Sequence, residues 1–224
     1  LSEDLRIACD IDAVPNGSNC AVIIRHADRG GPLNQVVRRD EGLNEMGIRR
    51  SEELGVLLRR FHEMRSFSSP IDRCKETCMH ISTGYGKTTE PIVTELLGMS
   101  SPTMVDPKKA YQKMNEVGLL GFVDLYVKDA IDRCIAIPCS EGAKLLFSYV
   151  IEKIRLMKDG VGVFVTHDMI ITPPMAYYFG YDFMENGLVP FLDGVVLYQE
   201  GDAFIARYAG REIQVDDVGV PSKK

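Results

Sequence analysis

The chain has no run of apolar residues long enough to span a bilayer. Its opening, LSEDLRIACD, lacks the basic start and apolar core of a signal peptide. We expect a cytoplasmic protein with no membrane partner. Export stays open, because a trimmed precursor would also begin at a residue such as Leu1. Positive charge is not in excess either. The 26 Lys and Arg against 32 Asp and Glu leave a formal net charge of −6. Bulk electrostatics therefore point to no nucleic-acid partner. No repeat and no low-complexity linker interrupts the 224 residues. That length suits one large domain with a well-buried core and is short for two, so a single domain over 1–224 is expected. Histidine is scarce, with four in all. None sits at ligand spacing from the pairs Cys74/Cys78 or Cys134/Cys139, so no zinc site is expected there; no metal or cofactor is expected elsewhere, given the chemistry read below. Six cysteines in a chain this long do not make a small disulfide scaffold and read as buried free thiols. Nothing in the pattern sets an oligomeric state.

What is present is an alternation of strands and helices. Residues 20–24 read as a buried strand. Residues 44–60 read as an amphipathic helix carrying Met46, Ile48, Leu54 and Leu57. A short strand over 65–69 is followed by a helix over 71–80, stopped near Gly84 and Gly86. Residues 89–105 read as irregular, with Pro91 and Pro102. Helices follow over 107–117 and 120–133, then 140–158, with Ser140 as cap. The segment VGVFVTHD, 161–168, repeats the opening pattern of an apolar strand that ends on a histidine. A helix over 169–180 carries Pro173 and Pro174, residues suited to a first turn. Strands over 195–199 and 203–208 flank Glu200-Gly201-Asp202, a hairpin signal. The expected architecture is an α/β three-layer sandwich. It has a mainly parallel central sheet, helices on both faces, and a small cap from segments 29–42 and 87–135.

Of the four histidines, only His26 and His167 terminate apolar strands. In open α/β sheets ligands bind beyond the carboxyl ends of strands, so both would enter one crevice. His62 and His80 lie among polar residues at helix ends and read as solvated surface. Arg25 and Arg29 bracket His26 in RHADR, and Arg73 follows Ser68-Ser69-Pro70. Three guanidiniums in one crevice repel one another unless an anion lies between them, and guanidinium matches phosphate geometry. Nearby arginines lower an imidazole pKa and keep it nucleophilic. Asp168, beside His167, is placed to give a proton to a leaving alkoxide. Arg49, Arg50, Arg59 and Arg60 read as a solvated helix face, and Glu141 as a helix-start charge.

RHADR, SSPIDRCKET and THD, in that order, resemble the histidine phosphatase superfamily. GLNEMGIRRSEELGVLL resembles the family's helix after its first motif. The likeness spans about residues 20–180. Arg29 and the pair His167-Asp168 resemble the acid-phosphatase branch rather than the mutase-like one. The resemblance implies a metal-independent phosphatase that acts on a small phosphate ester. His26 would be the nucleophile, forming a phosphohistidine. Arg25, Arg29 and Arg73 would bind the phosphoryl group, with His167 stabilising it and Asp168 donating the proton. A phosphotransferase or mutase on the same chemistry is the first rival, and a non-catalytic phospho-ligand module the second. The chain departs from the pattern at two places. Ala27 stands where the family has glycine, acceptable only if the local φ is negative. Pro32 comes one place late, after Gly30 and Gly31.

Overall fold

The computed structural model describes residues 5–29, 42–98 and 103–215. Its strands are β1 (Cys20–Arg25), β2 (Glu63–Ser68), β3 (Ile92–Val93), β4 (Gly160–Thr166), β5 (Gly194–Glu200), β6 (Ala203–Tyr208) and β7 (Arg211–Val215). They form one sheet in the order β3-β2-β4-β1-β5-β6-β7. The sheet is parallel from β3 to β1 and antiparallel from β1 to β7. The helices are α1 (Ala8–Asp12), α2 (Glu45–Leu57), α3 (Asp72–Tyr85), α4 (Pro107–Val117), α5 (Leu119–Val127), α6 (Cys139–Ile154), α7 (Asp168–Phe179) and α8 (Phe183–Asn186).

Side chains alternate across a strand, so each central strand feeds two cores. Ala21 and Ile23 of β1 join Phe164 of β4 and the apolar faces of α6 and α7. Cys20, Val22 and Ile24 join Val161, Val163 and Val165, with Leu54 of α2 and Cys74, Cys78 and Ile81 of α3. Every residue of β1 and β4 is buried, as expected of strands covered on both faces. The expected three layers are therefore present.

Glycines let α2 and α3 touch backbone to backbone. A Cβ on Gly55 would lie 2.1 Å from the Ile81 carbonyl oxygen, and one on Gly84 2.0 Å from that of Glu52. Gly47 does the same against the Asp28 carbonyl oxygen, at 2.0 Å, while the Asn44 side chain caps α2 by accepting from the Gly47 N–H. This fixes the start of α2 against the loop that follows β1.

Some local readings differ. The helix expected over 120–133 ends at Val127, and Asp129 then turns with φ 54°. The Asp129 carboxylate accepts the Cys139 N–H, so α6 starts at Cys139 with a distant cap instead of Ser140. Pro173 and Pro174 lie in the middle of α7, where each lacks the N–H of a helical hydrogen bond. Both are buried, so packing holds the helix through them. The two-residue β3 lies within 89–105, the segment read as irregular, and β7 follows the expected hairpin. All six cysteines are free thiols, four of them buried. Of the expected cap segments, 30–41 and 99–102 fall outside the described residues, as does Pro32.

Candidate active site

Beta-strands 1 and 4 run parallel and in register, with Arg25 opposite Thr166. The residues that follow them, His26 and His167, therefore leave the sheet side by side. The His26 N–H donates to the Thr166 carbonyl at 2.9 Å, and the two ring centroids are 5.5 Å apart. The rings are 3% and 1% exposed. Strand β2, on the other side of β4, leads through Ser69 into α3, whose second residue is Arg73.

The neighbours fix each ring's tautomer. His26 Nδ1 lies 2.8 Å from the Ala27 carbonyl oxygen, which can only accept, so Nδ1 carries the hydrogen. Nε2 keeps its lone pair and accepts from Arg73 Nε at 3.0 Å. Arg73 Nη2 reaches His167 Nδ1 at 3.3 Å, so one guanidinium spans both rings. His167 Nε2 then donates to Ser69 Oγ at 2.8 Å. Arg73 and Asp168 lie in the first turns of α3 and α7, so two helix N-termini face the site and favour an anion there.

Arg25 is buried and paired. Its Nη2 is 2.8 Å from Asp168 Oδ2, its Nη1 donates to the Val189 carbonyl at 2.8 Å, and the Phe191 ring lies 4.1 Å from its Cζ. Phe191 is presented by a strained turn. Leu192 has φ 55°, uncommon for a bulky residue, and its N–H donates to the Arg25 carbonyl. Arg29 lies near enough for its charge to act on Arg25. Ala27 is buried, is not among the residues with positive φ, and donates its N–H to Thr77 Oγ1 at 3.0 Å. The backbone there accommodates the methyl group.

The structure thus brings together Arg25, His26, Arg29, Arg73, His167 and Asp168. It leaves His80 on α3, paired with Glu52, and Glu141 in an exposed pair with Arg133. Sequence reasoning passes over Phe191 and Thr77. Ser69 and Thr77 both lie within SSPIDRCKET. Phe191 carries no local signal, because it lies just before a strand that runs the other way.

Burial, helped by Arg73 and Arg25, pushes both imidazoles down, His26 to about 2 and His167 to about 3. Folded, both rings stay neutral above about pH 3. Unfolded, they bind protons below the ordinary value of 6.5. The unfolded chain then takes up more protons, so stability falls as pH drops from 6.5 toward 3. Two such rings cost about 3 kcal/mol between pH 6.5 and pH 5. Urea unfolding in phosphate-free buffer should show this fall. A midpoint unchanged between pH 7 and pH 5 would contradict the burial of uncharged rings.

The chain matches the model of the histidine phosphatase superfamily (branch 1) over residues 21–98, the span holding RHADR and SSPIDRCKET. Over that span the chain is similar to the histidine phosphatase superfamily. The match ends before His167-Asp168, on which, with Arg29, the acid-phosphatase resemblance rests. No curated protein matches this chain at a significant level. Among solved structures it is similar to a phosphoglycerate mutase from Bacillus anthracis, at 18% identity and TM-score 0.51, covering 88% of this chain and 91% of that one. It is also similar to Bacillus stearothermophilus YhfR, at 14% identity and TM-score 0.56, covering 89% and 98%. A mutant phosphoserine phosphatase from Entamoeba histolytica in complex with phosphoserine gives 13% identity and TM-score 0.51, covering 87% and 94%. At these identities the likeness is one of fold. Among the described residues, no helix is long and apolar enough to cross a membrane.

Proposed function

We infer that this protein is a metal-independent phosphomonoester hydrolase working through a phosphohistidine. The observation that carries this reading is the His26 ring. Its Nδ1–H is tied to the Ala27 carbonyl, and its Nε2 lone pair faces the guanidinium of Arg73. A phosphoryl group bound by Arg25, Arg29 and Arg73 would present its phosphorus to that lone pair. Nε2 forms a bond to phosphorus while the ester P–O bond breaks, and the leaving oxygen takes a proton from Asp168. Water then attacks the phosphohistidine, giving its proton to Asp168 and releasing phosphate and free His26. His167 supplies charge stabilisation beside the transferred group. Arg25 links the two halves of the reaction, since it pairs with Asp168 and would also meet the phosphate. Segment 107–127, which reaches the site at the α4–α5 junction, acts as a small cap.

The test is phosphate release across pH 4 to 8 in the presence of chelator, with His26→Ala as blank. Asp168→Asn should slow an alkyl phosphate about 10²-fold or more and a nitrophenyl phosphate far less, because a good leaving group needs no proton. Equal loss on both esters would argue against proton donation. Transfer to an added alcohol in place of release would favour a phosphotransferase.

A further inference from the structure

Beyond the phosphate-binding end, Arg25 and Asp168 also form one wall of a cleft of about 530 Å³. Its opposite wall comes from the α4–α5 junction and from the chain after α8. The side chains there are Val117, Leu119, Leu120 and Leu188. Among the described residues, the only charged side chains lining the cleft are Arg25 and Asp168, and these are paired with each other. One amide is present, Asn186, and its nitrogen already donates to the Asp182 carbonyl at 2.8 Å. Val117 and Leu119 remain 37% and 39% exposed at this wall.

These observations bear on what the leaving group can be. A carboxylate, a second phosphate or a polyhydroxylated ring placed there gives up water and gains few partners. An apolar group gives up nothing and covers Val117 and Leu119. Gly118 and Gly187 take positive φ, 77° and 74°, which favours glycine, and a Cβ on either would meet nothing within 4 Å, so the space beside them is open.

We propose that the preferred substrates are phosphomonoesters of uncharged, apolar alcohols, the alcohol lying in the cleft between the α4–α5 junction and Leu188. This rests on the hydrolase reading above. The Arg25–Asp168 edge of the cleft places the scissile oxygen, and the leucine wall selects what is attached to it.

The experiment uses ethyl, butyl and hexyl phosphate, whose alcohols are nearly equally acidic, so that only the cleft distinguishes them. kcat/KM should rise roughly two- to fourfold per methylene. A hexyl phosphate bearing a terminal carboxylate should fall about tenfold or more below hexyl phosphate. Leu119→Asp lies at an exposed position and should flatten the series, bringing hexyl phosphate down toward ethyl phosphate. A flat series in the unaltered protein, or a preference for the carboxylated ester, overturns the proposal. Equilibrium binding of ethyl and hexyl phosphonate, which are not hydrolysed, gives a second reading. Tighter hexyl binding supports the cleft assignment even if no ester is turned over, in which case it is the hydrolase reading that fails. Equal binding overturns the cleft assignment alone.

Discussion

Replacing His26 with alanine should lower phosphate release by at least about 10⁴-fold while leaving the fold in place. The size follows from what is removed. Asp168, the arginines and the helix N-termini can hold and polarise an ester, but within the proposed chemistry only Nε2 of His26 attacks phosphorus. Its lone pair is the one ring position that faces Arg73, because the other nitrogen is held by the Ala27 carbonyl. The fold should survive, because residue 26 is tied into the sheet by its main chain. Its N–H donates to Thr166, and that bond does not depend on the side chain. Enzyme incubated with labelled substrate and quenched in alkali, where a phosphohistidine survives, should carry label in the native chain and none in the variant. Turnover in His26→Ala within tenfold of native would overturn the phosphohistidine reading. Lost turnover with a lost urea transition would indicate unfolding instead, and His26→Gln then separates the two.

The second large effect is expected at Arg73. Arg73→Met keeps most of the apolar stem and removes the guanidinium, and kcat should fall about 10²- to 10³-fold. Arg73→Lys should recover little of it. One guanidinium holds Nε2 of His26 and Nδ1 of His167 at 3.0 and 3.3 Å, a spread that a single ammonium does not reproduce. Stability gives an independent readout. The Arg73 charge helps push both imidazoles down, so its removal lets both rise. The folded rings then accept protons at higher pH, and the loss of stability in acid becomes shallower. If Arg73→Met keeps native kcat, or if its acid sensitivity matches that of the native chain, then Arg73 does not act on the two rings as described.

The strand-end histidines were legible in the sequence because a fully buried strand reads as an unbroken apolar run, and its first polar residue marks where it leaves the sheet. Arg73 was legible through SSPIDRCKET, which sets a strand end and a helix start a few residues apart. The pairing of Arg25 with Asp168 was not. Those residues lie on different strand ends, and nothing in either motif says which anion Arg25 meets. Phe191 was hidden for a related reason, since its place over Arg25 depends on a backbone bend at Leu192 that no local pattern announces. The cap of α6 was misassigned because Ser140 fits the local rule, whereas the Asp129 carboxylate arrives by tertiary packing. The prolines of α7 were placed in its first turn by propensity, and burial of both rings overrides that preference.

The reversal of direction between β1 and β5 gives the site an unusual source of material. A parallel neighbour can bring to the carboxyl end of β1 only the segment that leaves it. An antiparallel neighbour brings the segment that enters it, so residues 187–193 arrive at the end that carries His26 before β5 begins. That segment supplies Leu188 to the cleft, the Val189 carbonyl and the Phe191 ring to Arg25, and it is anchored by main-chain bonds at Leu192 and Asp193. His26 and His167 are carried by other strands. If the cleft holds the alcohol as proposed, exchanges at 188 would reshape which alcohol is accepted without touching either ring, whereas Phe191, whose ring centroid is 5.5 Å from that of His26, ties the same segment to the histidine pair.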